Sequence, residues 1–497
     1  MFYNFGVKKN FMITFLSSIV LLILGYIFYG KFVEKFFGAD PQRLTPAYAI
    51  NDGVDYIPMP LWKVFIIQFL NIAGLGPIFG AILGAMYGPL AYVWIVLGSI
   101  FMGGVHDYFS GMLSIRNNGA SLPELVGKYL GNTVKQILRV FTLILLIFVG
   151  VSFVTGPAEL LQELTSANKI IWLYIIFGYY LIATLLPIDK IIGKIYPIFV
   201  ILVLIMAFLA FIGIIIKYFS GNFSMIELSI ANAKNWHIFP DKNILYPMMF
   251  IVISCGAISG FHSTQSPMMA RCIKNENQGR KVFYGAMIAE GIVAIIWATV
   301  AMNYFGGVEN LNAQMAAHNN NAAWLVDLVS RTWFGKIGAV FAIIGVVALP
   351  ITTGDTAFRS ARLTAADMFG IDQSKIMKRI LISLPFFIIG FIMSQLEFAT
   401  VWRYLGISNQ SLACFVLWTG AMYLAENNKP HWILSIPALI ITTICLTYFF
   451  IAPNIAGGLN LPGTFSYPAG FIAALVIAAL WYRSMKKKQL AQKDLSN

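Results

Sequence analysis

The chain has 497 residues, of which 59% are hydrophobic and only 11% are charged. Soluble globular domains carry about 25% charged residues, so this composition excludes a protein that folds in water around an ordinary core. The net charge of +13 comes from basic residues in loops between apolar segments, and no basic and aromatic groove accompanies them. We therefore expect a lipid bilayer as partner, and no nucleic acid.

The apolar residues form about 13 segments, most of them long enough to cross about 30 Å of hydrocarbon as a helix. We expect helices throughout, because the edge of an open sheet cannot be satisfied in lipid. This predicts an all-α integral membrane protein. The predicted spans, numbered 1 to 13 in chain order, are 11–30, 62–88, 90–114, 134–156, 170–187, 191–218, 245–273, 280–305, 336–358, 376–395, 404–425, 431–451 and 466–483.

The distribution of Lys and Arg predicts the orientation. With 13 spans, most of the 34 basic residues lie on the face that also carries the C-terminus. By the positive-inside rule that face is cytoplasmic, so we expect the N-terminus outside. The expected location is a bacterial inner membrane. The sequence leaves the oligomeric state open.

Spans 2 and 7 both contain helix-breaking residues at mid-depth. Residues 71–77 read NIAGLGP, which predicts half-helices at about 62–72 and 77–88. Residues 254–267 form a second glycine-rich stretch, which ends in Pro267. Irregular backbone survives in a membrane only where it is buried in protein or lines a cavity, so the two breaks predict one central site. Alternatively, the glycines only permit close packing and the prolines only kink the helices.

The two breaks lie five spans apart, in helices that begin on opposite faces. This spacing predicts a five-plus-five inverted repeat made of spans 2–6 and 7–11. The expected units are 62-218 and 245-425. Residues 1-61 then form the first span and a cytoplasmic loop, and residues 431-497 form two peripheral helices with a basic tail.

We expect the breaks to bind a small-molecule substrate, because backbone amides freed at a half-helix N-terminus hold anions. For His262 the alternative is a neutral histidine that only satisfies loop backbone. The candidate substrate-binding residues are Gly74, Gly76, Ser259, Gly260, His262, Ser263 and Gln265.

A second set of residues is a candidate for coupling transport to H+ or Na+. Glu290 lies in the middle of span 8, where an ionisable group is costly, and it is the first candidate for a proton carrier or a cation ligand. The alternative is a neutral structural acid. The adjacent pair His106 and Asp107 fits either proton coupling or a hydrogen bond at a cytoplasmic gate.

Span 9 carries Thr352, Thr353 and Asp355. The threonine hydroxyls could face the freed carbonyls of Ala73 and Gly74, and such an oxygen cage would suit sodium. Alternatively, the threonines bond to their own helix. No GxSxG, Walker A or HExxH pattern occurs, so we expect neither an enzyme nor an ATP-driven pump, and no cofactor beyond the coupling ion.

Several short strings resemble motifs of the carbon starvation protein A family, and they occur in the family's order. The strings are NDGVDY at 51–56, AGLGPI at 73–78, VHDY at 105–108, CGAISGFH at 255–262, GISNQ at 406–410, the membrane glutamate Glu290, and the pattern formed by Asp355, Arg359 and Arg362.

The resemblance implies an inner-membrane carrier that serves nutrient scavenging during carbon starvation. It also implies pyruvate or short peptides as substrates, proton coupling for pyruvate, and a relation to the amino acid–polyamine–organocation superfamily. The leading hypothesis is a cation-coupled importer of a carboxylate-bearing solute. A channel, a membrane-embedded nutrient sensor without transport and an intramembrane enzyme acting on lipid are the alternatives.

Overall fold

The computed structural model describes residues 12–51, 56–74, 76–165, 167–185, 188–221, 223, 225–343, 345, 347, 349–371 and 375–496. The central residues of the NDGVDY motif, 52–55, and the side chain of Thr352 lie outside the described part.

The regular secondary structure of the described residues is helical. We number the helices by the predicted span that each overlaps most. They are α1 (Ile13–Phe37), α2a (Leu61–Ala73), α2b (Gly76–Ala85), α3 (Leu90–Arg116), α4 (Asn132–Thr165), α5 (Lys169–Leu185), α6 (Ile188–Phe219), α7a (245–252), α7b (His262–Ala270), α8 (Glu276–Tyr304), α9 (Leu349–Phe369), α10 (Ile376–Met393), α11 (Phe398–Glu426), α12 (Trp432–Ile451) and α13 (Gly463–Ser496).

Eight helices of the described residues are long and apolar enough to cross a membrane, or nine if the bent pair α2a and α2b counts as one span. The protein therefore has a multi-pass architecture. The larger number of 13 spans stays a prediction. One reason for the difference is that α7 is broken and α5 is short for a span.

Two regions differ from the sequence-based prediction. The predicted ninth span, 336–358, is divided between a helix at Ala322–Ile343 and α9. The first of these is kinked at Gly335, which has a φ of +57°. In addition, the predicted loop at 306–335 contains a short helix at Val308–Ala317, which no apolar periodicity of membrane length could have signalled.

The share of each helix that is buried separates a protein core from a lipid-facing layer. In α3 and α8, 78% and 83% of the most apolar window is buried inside the protein, whereas the share is 17% in both α10 and α13. A long apolar helix that exposes most of its side chains is stable only against hydrocarbon. Hence α3 and α8 lie at the centre, and α10 and α13 lie at the periphery.

Candidate functional site

Helix α2 is interrupted where the sequence places Gly74 and Gly76. Helix α2a ends at Ala73, and Gly74 has φ +45° and ψ −135°, a region that glycine adopts without the steric cost of a side chain. Helix α2b begins at Gly76 and is bent by 43° from α2a. Because the chain turns within three residues, the last carbonyls of α2a and the first amides of α2b lose their partners in a continuous helical ladder.

Helix α7 is interrupted over a longer stretch. Helix α7a ends at Val252 and α7b begins at His262, with nonhelical backbone between them. Gly256 in this stretch has a φ of +92°. The break therefore presents the side chain of His262 in the first turn of the second half-helix.

The two interruptions lie against each other. A Cβ atom placed on Gly76 would be 2.5 Å from the Cβ atom of Cys255, and one placed on Gly256 would be 3.6 Å from the Cα atom of Pro77. No side chain fits at Gly76 without a shift of the facing backbone or side chain. The glycines thus bring two stretches of irregular backbone together in the interior.

Side chains of the surrounding helices replace the lost helical hydrogen bonds of α7. Three carbonyl oxygens of the break accept hydrogen bonds from α11 and α3: Val252 from Trp402 Nε1 at 3.2 Å, Ile253 from Trp94 Nε1 at 3.2 Å, and Gly256 from Ser99 Oγ at 2.8 Å. Buried backbone groups need such partners where water is excluded. The neighbouring helices therefore stabilise the break as a regular part of the fold.

Asn409 of α11 holds the other end of the break. Its Oδ1 accepts hydrogen bonds from the Phe261 amide at 2.7 Å and from Ser259 Oγ at 3.1 Å, and its backbone oxygen accepts one from the Gly260 amide at 3.1 Å. Asn409 is completely buried. Sequence reasoning gave it no role, although an amide in a predicted span has to find partners.

Four predicted residues from three helices meet beside this break, and all four side chains are fully buried. Asp107 lies between two imidazole rings: Oδ1 is 2.7 Å from Nδ1 of His106, and Oδ2 is 2.8 Å from Nδ1 of His262. On the far side of the second ring, Nε2 of His262 is 3.2 Å from Oε2 of Glu290, without the alignment of a hydrogen bond. The other oxygen of Glu290 accepts a hydrogen bond from the Gly256 amide at 3.1 Å.

This chain of groups can hold and move protons. If Asp107 and Glu290 are both ionised and His262 is an imidazolium, the cluster carries one net negative charge with His106 neutral. The charge is the same if the proton moves from His262 to Glu290. One more proton makes the cluster neutral, so its charge depends on a single proton.

The other predicted substrate residues are occupied by the fold. A Cβ atom on Gly260 would lie 2.3 Å from the Asn409 carbonyl oxygen, so this glycine serves close packing. Ser263 Oγ donates to the Gly260 carbonyl at 2.6 Å, and Gln265 Nε2 donates to Thr264 Oγ1 at 2.9 Å. A solute can reach these groups only after a rearrangement.

The predicted sodium ligands are brought together only in part. A Cβ atom on Gly74 would lie 3.8 Å from the methyl carbon of Thr353, so α9 does approach the end of α2a next to Ala73. Asp355 lies further along α9, where Oδ2 is 3.9 Å from Nη2 of Arg359 and Oδ1 has no hydrogen-bond partner. Among the described residues, no group of three or more His, Cys, Asp or Glu side chains has the arrangement of a metal site.

Comparison with known sequences places the chain in a family. A family model described as "Carbon starvation protein CstA" matches residues 10–166 and 143–337, which is more than half of the chain. An uncharacterized membrane protein of Haemophilus influenzae is 44% identical over 62% of this chain and 95% of its own length. The peptide transporter CstA of Bacillus subtilis is 24% identical, with 89% of each chain covered. The pyruvate/proton symporter BtsT of Escherichia coli is 26% identical over 56% of this chain and 47% of its own length.

Solved structures agree on the fold. A crystal structure of a mutant form of the manganese transporter of Eremococcus coleocola superposes with a TM-score of 0.54 and 13% identity, covering 88% of this chain and 99% of that chain. At this identity the likeness concerns the fold alone. The relatives whose names state a function are transporters, which confirms the expectation that the chain is not an enzyme. The chain is thus a multi-pass membrane transporter that belongs to the carbon starvation protein CstA family.

Proposed function

We propose that the protein imports a small carboxylate-bearing nutrient, pyruvate or a short peptide, across the bacterial inner membrane together with protons. The observation that carries this proposal is His262 at the interruption of α7, placed between Asp107 of α3 and Glu290 of α8. The names of relatives, which include peptide transporters and a pyruvate/proton symporter, support the class of solute.

The geometry links the proton to the shape of α7. Glu290 accepts a hydrogen bond from the Gly256 amide inside the break. Such a bond to a carboxylate is roughly twice as strong as one to a neutral group, so protonation of Glu290 weakens it. A proton can shift a conformational equilibrium only through such a difference between the two states. We infer that protonation changes how firmly the break of α7 is held.

The proposed solute site is the junction of α2 and α7. Helices α2b and α7b begin there, and their first amides favour a carboxylate. We place spans 2–6 and 7–11 in an inverted repeat around this junction, with the C-terminus in the cytoplasm and the N-terminus outside. Sodium is the second candidate ion, on the single observation that Thr353 approaches Gly74.

Uptake into proteoliposomes tests the function. We expect labelled pyruvate or a labelled dipeptide to accumulate when an inward proton gradient is imposed, and a protonophore to abolish the accumulation. Liposomes without protein and liposomes with a sodium gradient alone are the controls. Equilibration without accumulation would indicate a channel, and accumulation driven only by sodium would contradict proton coupling.

A further inference from the structure

A cavity of about 100 Å³ lies at the end of α2b that is remote from the interruption. It is enclosed by α2b, α7a, the start of α11, the segment 237–243 and the residues that follow the helix Val308–Ala317. A single water needs about 10–15 Å³ of such space, so the cavity has room for several waters or for one small organic ion. In the orientation proposed above, it opens toward the outside.

The lining of this cavity is suited to an anion. Among the described residues that line it, Arg403 carries the only permanent charge, His237 is titratable, and none is Asp or Glu. Burial and the neighbouring Arg403 lower the pKa of His237 to about 4, so this ring is neutral near pH 7. Within the described residues, Arg403 forms no ion pair with a carboxylate, and the hydrogen bond from its Nη2 goes to Oδ1 of Asn243.

Two amide side chains, Asn243 and Asn320, line the cavity together with Arg403. Asn243 is buried, and its Nδ2 donates to the Phe239 carbonyl at 3.2 Å, which turns Oδ1 toward Arg403. Asn320 also lines the cavity, and its Oδ1 is buried without a hydrogen-bond partner. A buried acceptor without a partner is costly, so this oxygen calls for a hydrogen-bond donor in the cavity, such as a water.

An aromatic layer separates the cavity from the junction of α2 and α7. Trp402 lines the cavity, and its ring lies 5.9 Å from that of Phe79 and 5.6 Å from that of Phe398, measured between centroids. The same indole donates to the Val252 carbonyl, the last residue of α7a. A movement of the break in α7 therefore acts directly on the wall of the cavity.

We infer that this cavity is an outer binding site in which Arg403 pairs with the carboxylate of the solute before the solute passes Trp402. The site deepens the proposed function and rests on it. Guanidinium and carboxylate form a charge-assisted, bidentate pair, which gives both affinity and orientation. The bound solute would then lie on one side of the aromatic layer, with the proton-binding cluster on the other.

The test is the concentration dependence of uptake in proteoliposomes for three variants. We expect Arg403→Gln to raise KM for pyruvate about 10- to 100-fold, the range for loss of a hydrogen-bonded charge, while the maximal rate stays within about twofold. Asn243→Asp keeps the guanidinium but gives it an internal carboxylate, and we expect KM to rise here too. Arg331→Gln is the matched control, because Arg331 is partly exposed and pairs with Asp327.

Unchanged KM in a folded Arg403→Gln or Asn243→Asp protein would overturn the outer site and leave the proposed function standing. If the wild-type protein accumulates neither pyruvate nor dipeptides, the proposed function fails. The chain has 11 tryptophans, so the cavity is then followed by the part of the fluorescence that pyruvate quenches in the wild-type protein but not in Trp402→Phe, since Trp402 lines the cavity. Quenching that survives Arg403→Gln unchanged would refute the role of Arg403.

Discussion

Replacement of Asn409 by leucine tests whether side chains hold the interruption of α7. The two side chains are similar in size, so Asn409→Leu removes hydrogen bonds with little change in volume. It leaves the Phe261 amide without its acceptor at 2.7 Å and deprives Ser259 Oγ of its partner at 2.9–3.1 Å. Each buried polar group left unsatisfied costs about 1–3 kcal/mol. Because Ser259 can turn toward Cys255 Sγ, 3.9 Å away, we expect the free energy of unfolding to fall by about 2–4 kcal/mol in total.

Thermal unfolding in detergent, together with uptake, measures this loss. We expect Asn409→Leu to unfold at a clearly lower temperature and to lose most of its transport. Asn409→Asp retains an acceptor for the Phe261 amide and for Ser259 Oγ but removes the Nδ2 donor, so it measures the contribution of that donor. Ser408→Ala, one residue away on α11, is the control for a substitution on this helix. If Asn409→Leu matches the wild-type protein in stability and rate, Asn409 does not hold the break.

Three further predictions follow from the same contacts. Gly76→Ala places a methyl group 2.5 Å from Cys255 Cβ and should lower the free energy of unfolding by about 1–3 kcal/mol, part of which Cys255→Gly should restore. The control Gly178→Ala, with nothing within 4 Å, should be neutral. If Gly76→Ala is equally neutral, the two breaks do not contact each other. His262→Gln should reduce proton-driven uptake more than His106→Gln, because the ring of His106 contacts only the carboxylate of Asp107. Equal effects would argue against His262 as the bridge between the two carboxylates. The pKa of His237 is about 4 in the folded protein and about 6.5 in the unfolded chain. Between these pH values the unfolded state binds more protons, so the free energy of unfolding should fall as the pH drops from 6.5 to 4. His237→Gln should flatten this pH dependence, and an unchanged dependence would assign it to other groups.

The positions of the two interruptions could be read from the sequence because glycine and proline act locally. The runs at 71–77 and 254–267 weaken a helix wherever it lies. The structure breaks α2 at Gly74 and α7 between Val252 and His262, whereas Pro267, where the predicted stretch ends, lies inside α7b. The ninth span was placed less well. Its apolar run gave no sign that one helix kinks at Gly335 and continues to Ile343, and that α9 begins at Leu349.

Contacts between distant residues could not be predicted in the same way. Asp107, His262 and Glu290 were each conspicuous as polar groups in apolar segments. Nothing in their spacing shows that His262 lies between the other two, because this depends on how α3, α7b and α8 pack. Gly260 shows the same limit: the sequence marks it as a glycine at a break, but not that the Asn409 carbonyl oxygen of α11 approaches it so closely that a Cβ atom would lie 2.3 Å away.

The proton-coupling role of the junction is tested most directly by Glu290→Gln in proteoliposomes. The substitution keeps the shape and an acceptor oxygen for the Gly256 amide, but it removes the titrating group beside His262. We expect gradient-driven accumulation of the solute to be lost, while exchange of labelled for unlabelled solute across the membrane continues. Accumulation at the wild-type level in this variant would contradict a coupled proton at the meeting point of α2 and α7.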